Sequence, residues 1–467
     1  MTSQTSPQEQ LSGNNHGRYT IRNKQYKQVL VHNAPFLFTT DKEDHITILK
    51  NHSIVIENNI IKEVVPARDV KKKDFDVVYD AGKRGGTVIT PGLINTHTHP
   101  PMYLMRSAMM LDEGEGVDET IAAMPKWERS MEYDHYTVAA IGDITEQQKH
   151  GITTTLSHYG VFDQIEQAAK ETMQNTVNAL SVVSNSHPEN TPKLMWDKLR
   201  HKKSFDSRIA AALHYLYKAE PQILDEIKKM VEEHKILFTC HLAESEMVAQ
   251  KCVEKHGISE IQLLEKHGLL NKNTILSHAI HVTDEDIEKI AKNNAGISHL
   301  PTSNIIHKSG IFPYWKFQEA GAFPQLSLGT DSVVSKSRLD ILTEAYQTRI
   351  SHLYERTVKF GSLFKMMTTN GARILHMNDR GKILPGYKAD LAFWKLKDRG
   401  FIPYDENDPM TLIGNIITHG GRYVRDLMIN GKFIISDRKH LLVNESKLLE
   451  KTQIAHMAMR NKVKDSY

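Results

Sequence analysis

Two histidines separated by one residue, His97 and His99, close an apolar run that reads V-I-T-P-G-L-I-N-T-H-T-H-P from Val88 to Pro100. Side chains alternate across a strand, so residues two apart point to one side, and two imidazoles there can bite a single ion. A borderline divalent metal suits such a nitrogen pair. The pair alone is weak evidence in a chain with 25 histidines. Other apolar runs also end in reactive residues. Thr239-Cys240-His241-Leu242-Ala243-Glu244 offers His241 as a third ligand, with Glu244 just beyond it. Leu276-Ser277-His278 offers His278, and Leu328-Gly329-Thr330-Asp331-Ser332 offers Asp331. Three imidazoles and a carboxylate around one ion leave room for a water, whose pKa the ion lowers towards neutrality. Glu244 is the candidate for moving that water's proton to a substrate nitrogen. His278 is the candidate for holding the water and polarising the tetrahedral intermediate.

Each residue also has a plain structural explanation. One histidine at a strand end is ordinarily a satisfied structural residue. Asp331 could cap a following helix, and Glu244 could cap or salt-bridge the helix that starts at Ser245. A single metal site accounts for all of them together. Cys240 neighbours His241 on the strand and points the opposite way, into the core. Lys218 lies four residues past His214, beyond the position a lysine bridging two metals would take, so a one-metal site is expected.

Positioning these residues requires strands whose ends meet. From Val88 to about Ala345 the chain alternates strand, loop and helix. Eight strands are predicted: Val88–His97, Ile152–His158, Thr176–Ser184, Ile209–Tyr215, Ile236–His241, Thr274–His278, Gly296–Leu300 and Gln325–Thr330. Helical patterns such as His135–Lys149, Gln222–His234 and Asp284–Lys292 separate them. The expected fold is α/β, a (β/α)8 TIM barrel, whose chemistry gathers at the C-terminal strand ends. Residues 26–87 carry short β-like runs, and residues 379–440 carry more, with Asn430-Gly431 as a hairpin turn. These two segments are expected to build a small β-sandwich domain around the barrel of residues 88–378. Residues 1–25 read as a polar, disordered tail, and residues 441–467 as a C-terminal helix.

Length and composition bound the function. The 467 residues suffice for a barrel and a smaller domain, with 40% hydrophobic and 25% charged residues. A net charge of +3 gives no global pull towards nucleic acid or an anionic membrane. Two cysteines, Cys240 and Cys252, exclude a disulfide framework. They also exclude the zinc deaminases that need Pro-Cys-x-x-Cys. With no signal-like apolar core and no long apolar run, the expected compartment is the cytoplasm.

On these residues the chain resembles the amidohydrolase superfamily, in the branch of 5′-methylthioadenosine/S-adenosylhomocysteine deaminases and triazine hydrolases. The resemblance spans about residues 28–440. It rests on P-G-L-I-N-T-H-T-H (91–99), H-L-A-E (241–244), S-H-A-I-H (277–281), S-H-L-P-T-S-N (298–304), G-T-D-S (329–332) and G-K-I-L-P-G-Y-K-A-D-L (381–391). It implies that His97, His99, His241 and Asp331 bind one divalent metal, zinc first, with iron or manganese as alternatives. It further implies that Glu244 and His278 are the proton-transfer pair, that His214 contacts a purine, and that Glu128 binds ribose hydroxyls.

The chain departs from that branch around the pocket. Arg106-Ser107 replaces Arg-Gly, and Ser184–Pro188 lacks an arginine for an amino-acid carboxylate. His158 stands where an aspartate is common, Leu300 where an asparagine is usual, and Ser332 where a glycine is. The expected activity is therefore a metal-dependent aminohydrolase that replaces the exocyclic amine of a purine-, pterin- or pyrimidine-like heterocycle and releases ammonia. The alternative keeps the metal and changes the leaving group, as in a triazine hydrolase or dechlorinase, or opens a cyclic amide. A scaffold that has lost catalysis would lack a ligand or Glu244, and none is missing. The expected partner is a small-molecule heterocycle, without nucleic acid or membrane, and a homo-oligomer is left open. Tyr103, Trp127, Tyr159 and Tyr215 are candidates for stacking on the ring.

Overall fold

The apolar run predicted as one strand, Val88–His97, is divided at Gly92: Thr87–Pro91 pairs in one sheet and Leu93–Thr98 opens another. The computed structural model describes residues 28–83, 86–108, 116–335, 338–419 and 424–464. The expected tail, 1–25, lies outside them. Gly92 donates its N–H to the Asp390 carbonyl at 2.8 Å, and a Cβ there would fall 2.1 Å from the Thr153 hydroxyl. Only glycine lets the chain cross between sheets so close to a neighbouring strand.

Five strands precede the barrel: β1 (Gln28–Thr40), β2 (Ile46–Glu57), β3 (Ile60–Pro66), β4 (Val77–Asp80) and β5 (Thr87–Pro91). Eight parallel strands follow: β6 (Leu93–Thr98), β7 (Ile152–Tyr159), β8 (Asn175–Ser181), β9 (Arg208–Tyr215), β10 (Leu237–Leu242), β11 (Thr274–His278), β12 (Gly296–His299) and β13 (Leu326–Leu328). They are hydrogen-bonded in sequence order, the pattern that βα units impose. A parallel bridge between Thr98 and Asp331 brings the last strand to the first, with the Thr330 and Asp331 N–H groups both donating to the His97 carbonyl. The fold is a near-closed eight-stranded (β/α) barrel.

Four more strands, β14 (Leu391–Lys395), β15 (Asp426–Ile429), β16 (Lys432–Ser436) and β17 (Lys439–His440), return to the first five and complete a nine-stranded mixed sheet. At the β15–β16 hairpin, Asn430 and Gly431 have φ of 49° and 74°, the left-handed pair that a two-residue turn demands. β1 pairs with β4 over its first half and with β5 further on, its register against β2 shifting between Val31 and Ala34. The sheet thereby folds over its own core, where Tyr79 on β4 meets Phe393 on β14 and Phe433 on β16 at centroid distances of 4.9 and 5.4 Å.

Inside the barrel, Ile94, Leu156, Val177, Ala210, Leu237 and Ile275 pack with Ala372, Ile374 and Met377 into an apolar cluster. Helices α1 (Val117–Arg129) and α2 (Tyr133–Lys149) stand between β6 and β7. The last helix, Glu445–Lys464, packs against α2 and buries Leu448, Ala455, Met459 and Val463. Among the described residues, no helix is long and apolar enough to cross a membrane.

Candidate metal centre

At the C-terminal strand ends the backbone departs from regular geometry. Ala243, His278, Ala279 and Asp331 have φ of 44°, 72°, 52° and 58°. Non-glycine residues seldom occupy this left-handed region, and such strain concentrates where geometry serves function. Each kink follows or contains a predicted site residue, so the turn re-aims the side chain at the barrel axis.

The imidazoles converge there. The Nε2 atoms of His97 and His99 are 3.1 Å apart. Ligating nitrogens of His97, His241 and His278 lie within 4.8 Å of one another, and so do those of His97, His99 and His158. Asp331 joins through Oδ1, 3.3 Å from His99 Nε2. The structure thus brings together all six residues predicted for the metal and proton-transfer roles. It adds His158, which the sequence presented only as a departure at the end of β7.

The outer nitrogens are held by the protein. His99 Nδ1 donates to the His158 carbonyl at 2.6 Å, and His241 Nδ1 donates to the His214 carbonyl at 2.8 Å. A carbonyl can only accept, so both rings carry a proton on Nδ1 and turn Nε2 inward. Burial would lower the pKa of His99, but Asp331 at its Nε2 raises it. His97 Nδ1 pairs with the Ser277 hydroxyl at 2.8 Å. Burial, with the neighbouring imidazoles, holds His97 and His241 well below the usual histidine range, in the neutral form that ligates metals. Burial alone would raise Asp331, but the hydrogen bond and charge of His99 hold its carboxyl well below the usual range. Buried imidazole nitrogens turned inward beside an ionised carboxylate form a donor set for one divalent cation.

Beside this cluster, His278 Nδ1 pairs with Asn304 Oδ1 at 2.8 Å, while its buried Nε2 has no partner and faces Glu244 Oε1 at 3.5 Å. The Tyr215 hydroxyl donates to Glu244 Oε2 at 2.7 Å. One carboxylate oxygen is thus fixed and the other turned towards the imidazole. Ser277, Asn304 and Tyr215 were not singled out for these contacts by sequence, since a partner of a partner has no spacing signal of its own.

A cavity of about 340 Å³ opens from His99 and His158 and is lined by His214, Glu128, Tyr159 and Lys218, among others. The Tyr159 hydroxyl donates to Glu128 Oε1 at 2.7 Å, and Ser186 donates to Oε2. Of the four rings considered for stacking, Tyr159 lines this cavity, whereas Tyr103, Trp127 and Tyr215 do not. Cys240 is buried in the surrounding core.

Behind Glu244, the Glu260 carboxylate accepts the Ala243 N–H at 2.6 Å and supports the strained turn. Burial, with Glu244 nearby, pushes the Glu260 carboxyl up to about 8 from its ordinary 4.5, despite the Ala243 hydrogen bond. Between those pH values the folded chain binds the extra proton, so this group lowers stability as pH rises. Denaturant unfolding should therefore lose about 1–3 kcal/mol more between pH 5 and 8 in the wild type than in Glu260→Gln. Parallel curves would show that Glu260 is ionised in the fold.

Comparisons with known proteins bear on the family and the fold. The model of the amidohydrolase family matches residues 88–434. A 5-methylthioadenosine/S-adenosylhomocysteine deaminase from Pyrococcus furiosus is 30% identical over 424 residues, covering 87% of this chain and 96% of the relative. An adenosine deaminase from Xanthomonas campestris, solved with bound zinc, superposes with a TM-score of 0.80 at 20% identity, covering 93% and 98% of the two chains. An atrazine chlorohydrolase from Arthrobacter aurescens TC1, complexed with zinc, gives 0.81 at 19% identity over 92% and 100%. This chain belongs to the amidohydrolase family.

Proposed function

We propose that the chain is a metal-dependent deaminase of adenosine-like nucleosides, with His97, His99, His241 and Asp331 holding one divalent ion. The observation that carries this reading is the meeting of inward-turned imidazole nitrogens and Asp331 beside the Glu244–His278 pair. The name of the Pyrococcus furiosus relative supports the substrate class. The zinc in the Xanthomonas campestris structure supports the choice of ion. The chlorohydrolase shares the fold, and a fold does not carry a leaving group with it.

When bound, the ion supplies Lewis-acid activation of water. Glu244 Oε1 takes the proton of the attacking water and hands it to the ring nitrogen next to the amine-bearing carbon. Tyr215 keeps Oε2 occupied, so one oxygen does the transfer. His278 offers Nε2 to the reacting oxygen, its ring orientation fixed by Asn304. Glu244 then moves the proton of the newly added hydroxyl to the exocyclic amine, the carbon–nitrogen bond breaks, ammonia leaves, and the oxygen remains as the product's carbonyl. His214 contacts the purine, and Glu128, held by Tyr159 and Ser186, meets the ribose hydroxyls.

Ammonia release from zinc-loaded protein tests this across adenosine, 5′-deoxyadenosine, 5′-methylthioadenosine, guanine, cytosine and an aminotriazine. Release is expected from the adenosine-like compounds, to be lost on chelation and restored by zinc. Release from only the non-purines, or release that survives chelation, would overturn the proposal.

A further inference from the structure

A cation lines the cavity that opens from the histidine cluster. Lys218 closes a short 3-10 turn, Leu216–Lys218, directly after β9, and lines the cavity with His214 and Glu128. Its Nζ sits 3.4 Å from His214 Nδ1 and 5.2 Å from the centre of the Tyr215 ring. Among the described residues, no carboxylate is within ion-pairing distance of it. The acid that acts on it through space is Glu128, and both oxygens of Glu128 are already taken, by Tyr159 and Ser186. Lys251 adds a second positive charge nearby, its Nζ 5.4 Å from the Tyr217 ring centre. Tyr217 in turn stacks on Tyr215 with centroids 5.4 Å apart. His187 lines the same cavity, 7% exposed, with an Nε2 that meets no protein partner.

A partly buried ammonium without a counter-charge is costly to keep. Here burial pushes Lys218 below the usual lysine range, with Lys251 adding to the effect and Glu128 opposing it. A ligand oxyanion would relieve that cost and gain charge-assisted hydrogen bonds, which a neutral hydroxyl would not. We propose that Lys218 forms an anion-binding end of the substrate cavity, and that the favoured substrate carries a compact oxyanion, carboxylate or phosphate, on its sugar side. The inference rests on the nucleoside reading above and adds the charge of the substrate.

Steady-state ammonia release on the zinc-loaded enzyme decides it, with 5′-deoxyadenosine, adenosine 5′-carboxylate and adenosine 5′-monophosphate as probes. The wild type should favour one of the two anions over 5′-deoxyadenosine by about tenfold or more in kcat/KM. Whichever anion leads tells carboxylate from phosphate. Lys218→Met should collapse that ratio towards one, chiefly through KM, and Lys218→Arg should restore most of it. A wild-type ratio near one, or a Lys218→Met loss equal for charged and neutral probes, would leave Lys218 as packing on Tyr215 and overturn the proposal. Should no nucleoside release ammonia, the deaminase reading fails, and calorimetric binding of the same three probes decides the role of Lys218. Tighter binding of an anion that Lys218→Met abolishes supports it; equal binding of charged and neutral probes rejects it.

Discussion

Glu244→Gln should lower kcat for ammonia release by a factor of roughly 10²–10⁴ while the protein keeps its full metal content. The amide has nearly the shape of the carboxylate, and its oxygen can still accept the Tyr215 hydroxyl that now lies 2.7 Å from Oε2. What it cannot do is take a proton from water and release it to a ring nitrogen. Glu244 is not one of the four proposed ligands, His97, His99, His241 and Asp331, so the metal should stay bound. Two measurements are needed on the same sample: metal by elemental analysis and ammonia by a coupled assay. Near-native turnover with metal retained would remove Glu244 from proton transfer. Tyr215→Phe should fall between, because it frees Oε2 without removing the acid.

Much of the barrel is legible in the sequence because its strands are buried on both faces and punctuated by turn-formers. Seven of the eight predicted strands lie within a few residues of those observed, and the turn chemistry of Asn430-Gly431 marks its hairpin correctly. The eighth fails at Gly92 for a physical reason. Thr87–Pro91 and Leu93–Thr98 are fully buried in two different sheets, so apolar periodicity runs through the junction without a break. What divides them is the approach of Thr153 from β7, a tertiary contact with no local signature. The predicted Thr176–Ser184 is longer than the observed strand because, after a last bond from the Val182 N–H to the Ala212 carbonyl, Val183 and Ser184 turn to wall the cavity.

The candidate site was legible to a different depth. Residues carrying unusual chemistry at strand ends, His97, His99, His241, Glu244, His278 and Asp331, announce themselves by type and position. Their supports do not. Two of the imidazoles are oriented by carbonyls of His158 and His214, and every residue has a carbonyl. Ser277 and Asn304 are ordinary polar residues until the fold sets them 2.8 Å from a ring nitrogen. His158 is the instructive case. Read against a family pattern it looked like a lost aspartate, yet its ring stacks 5.2 Å from that of His241 and its carbonyl fixes His99.

His241→Ala is the substitution expected to remove metal and activity together. His241 is 2% exposed, and its Nε2 is left bare by the Nδ1 hydrogen bond to the His214 carbonyl. Removing the ring takes away one of three proposed nitrogen donors and opens a void between His97 and His278, whose rings lie 4.8 and 5.2 Å from it. Zinc content should fall from one per chain to a small fraction, and ammonia release to background. Stability supplies the more searching readout. Without a cation, the fold must hold several buried imidazoles in contact, with the Nε2 atoms of His97 and His99 only 3.1 Å apart, so binding the ion should stabilise it. At a free zinc concentration 1,000 times the dissociation constant, linkage predicts about 4 kcal/mol for the wild type. Thermal unfolding of the chelated wild type should therefore shift upward on adding zinc, whereas that of His241→Ala should stay nearly still. An equal shift in both proteins would place the zinc elsewhere and remove His241 from the metal centre.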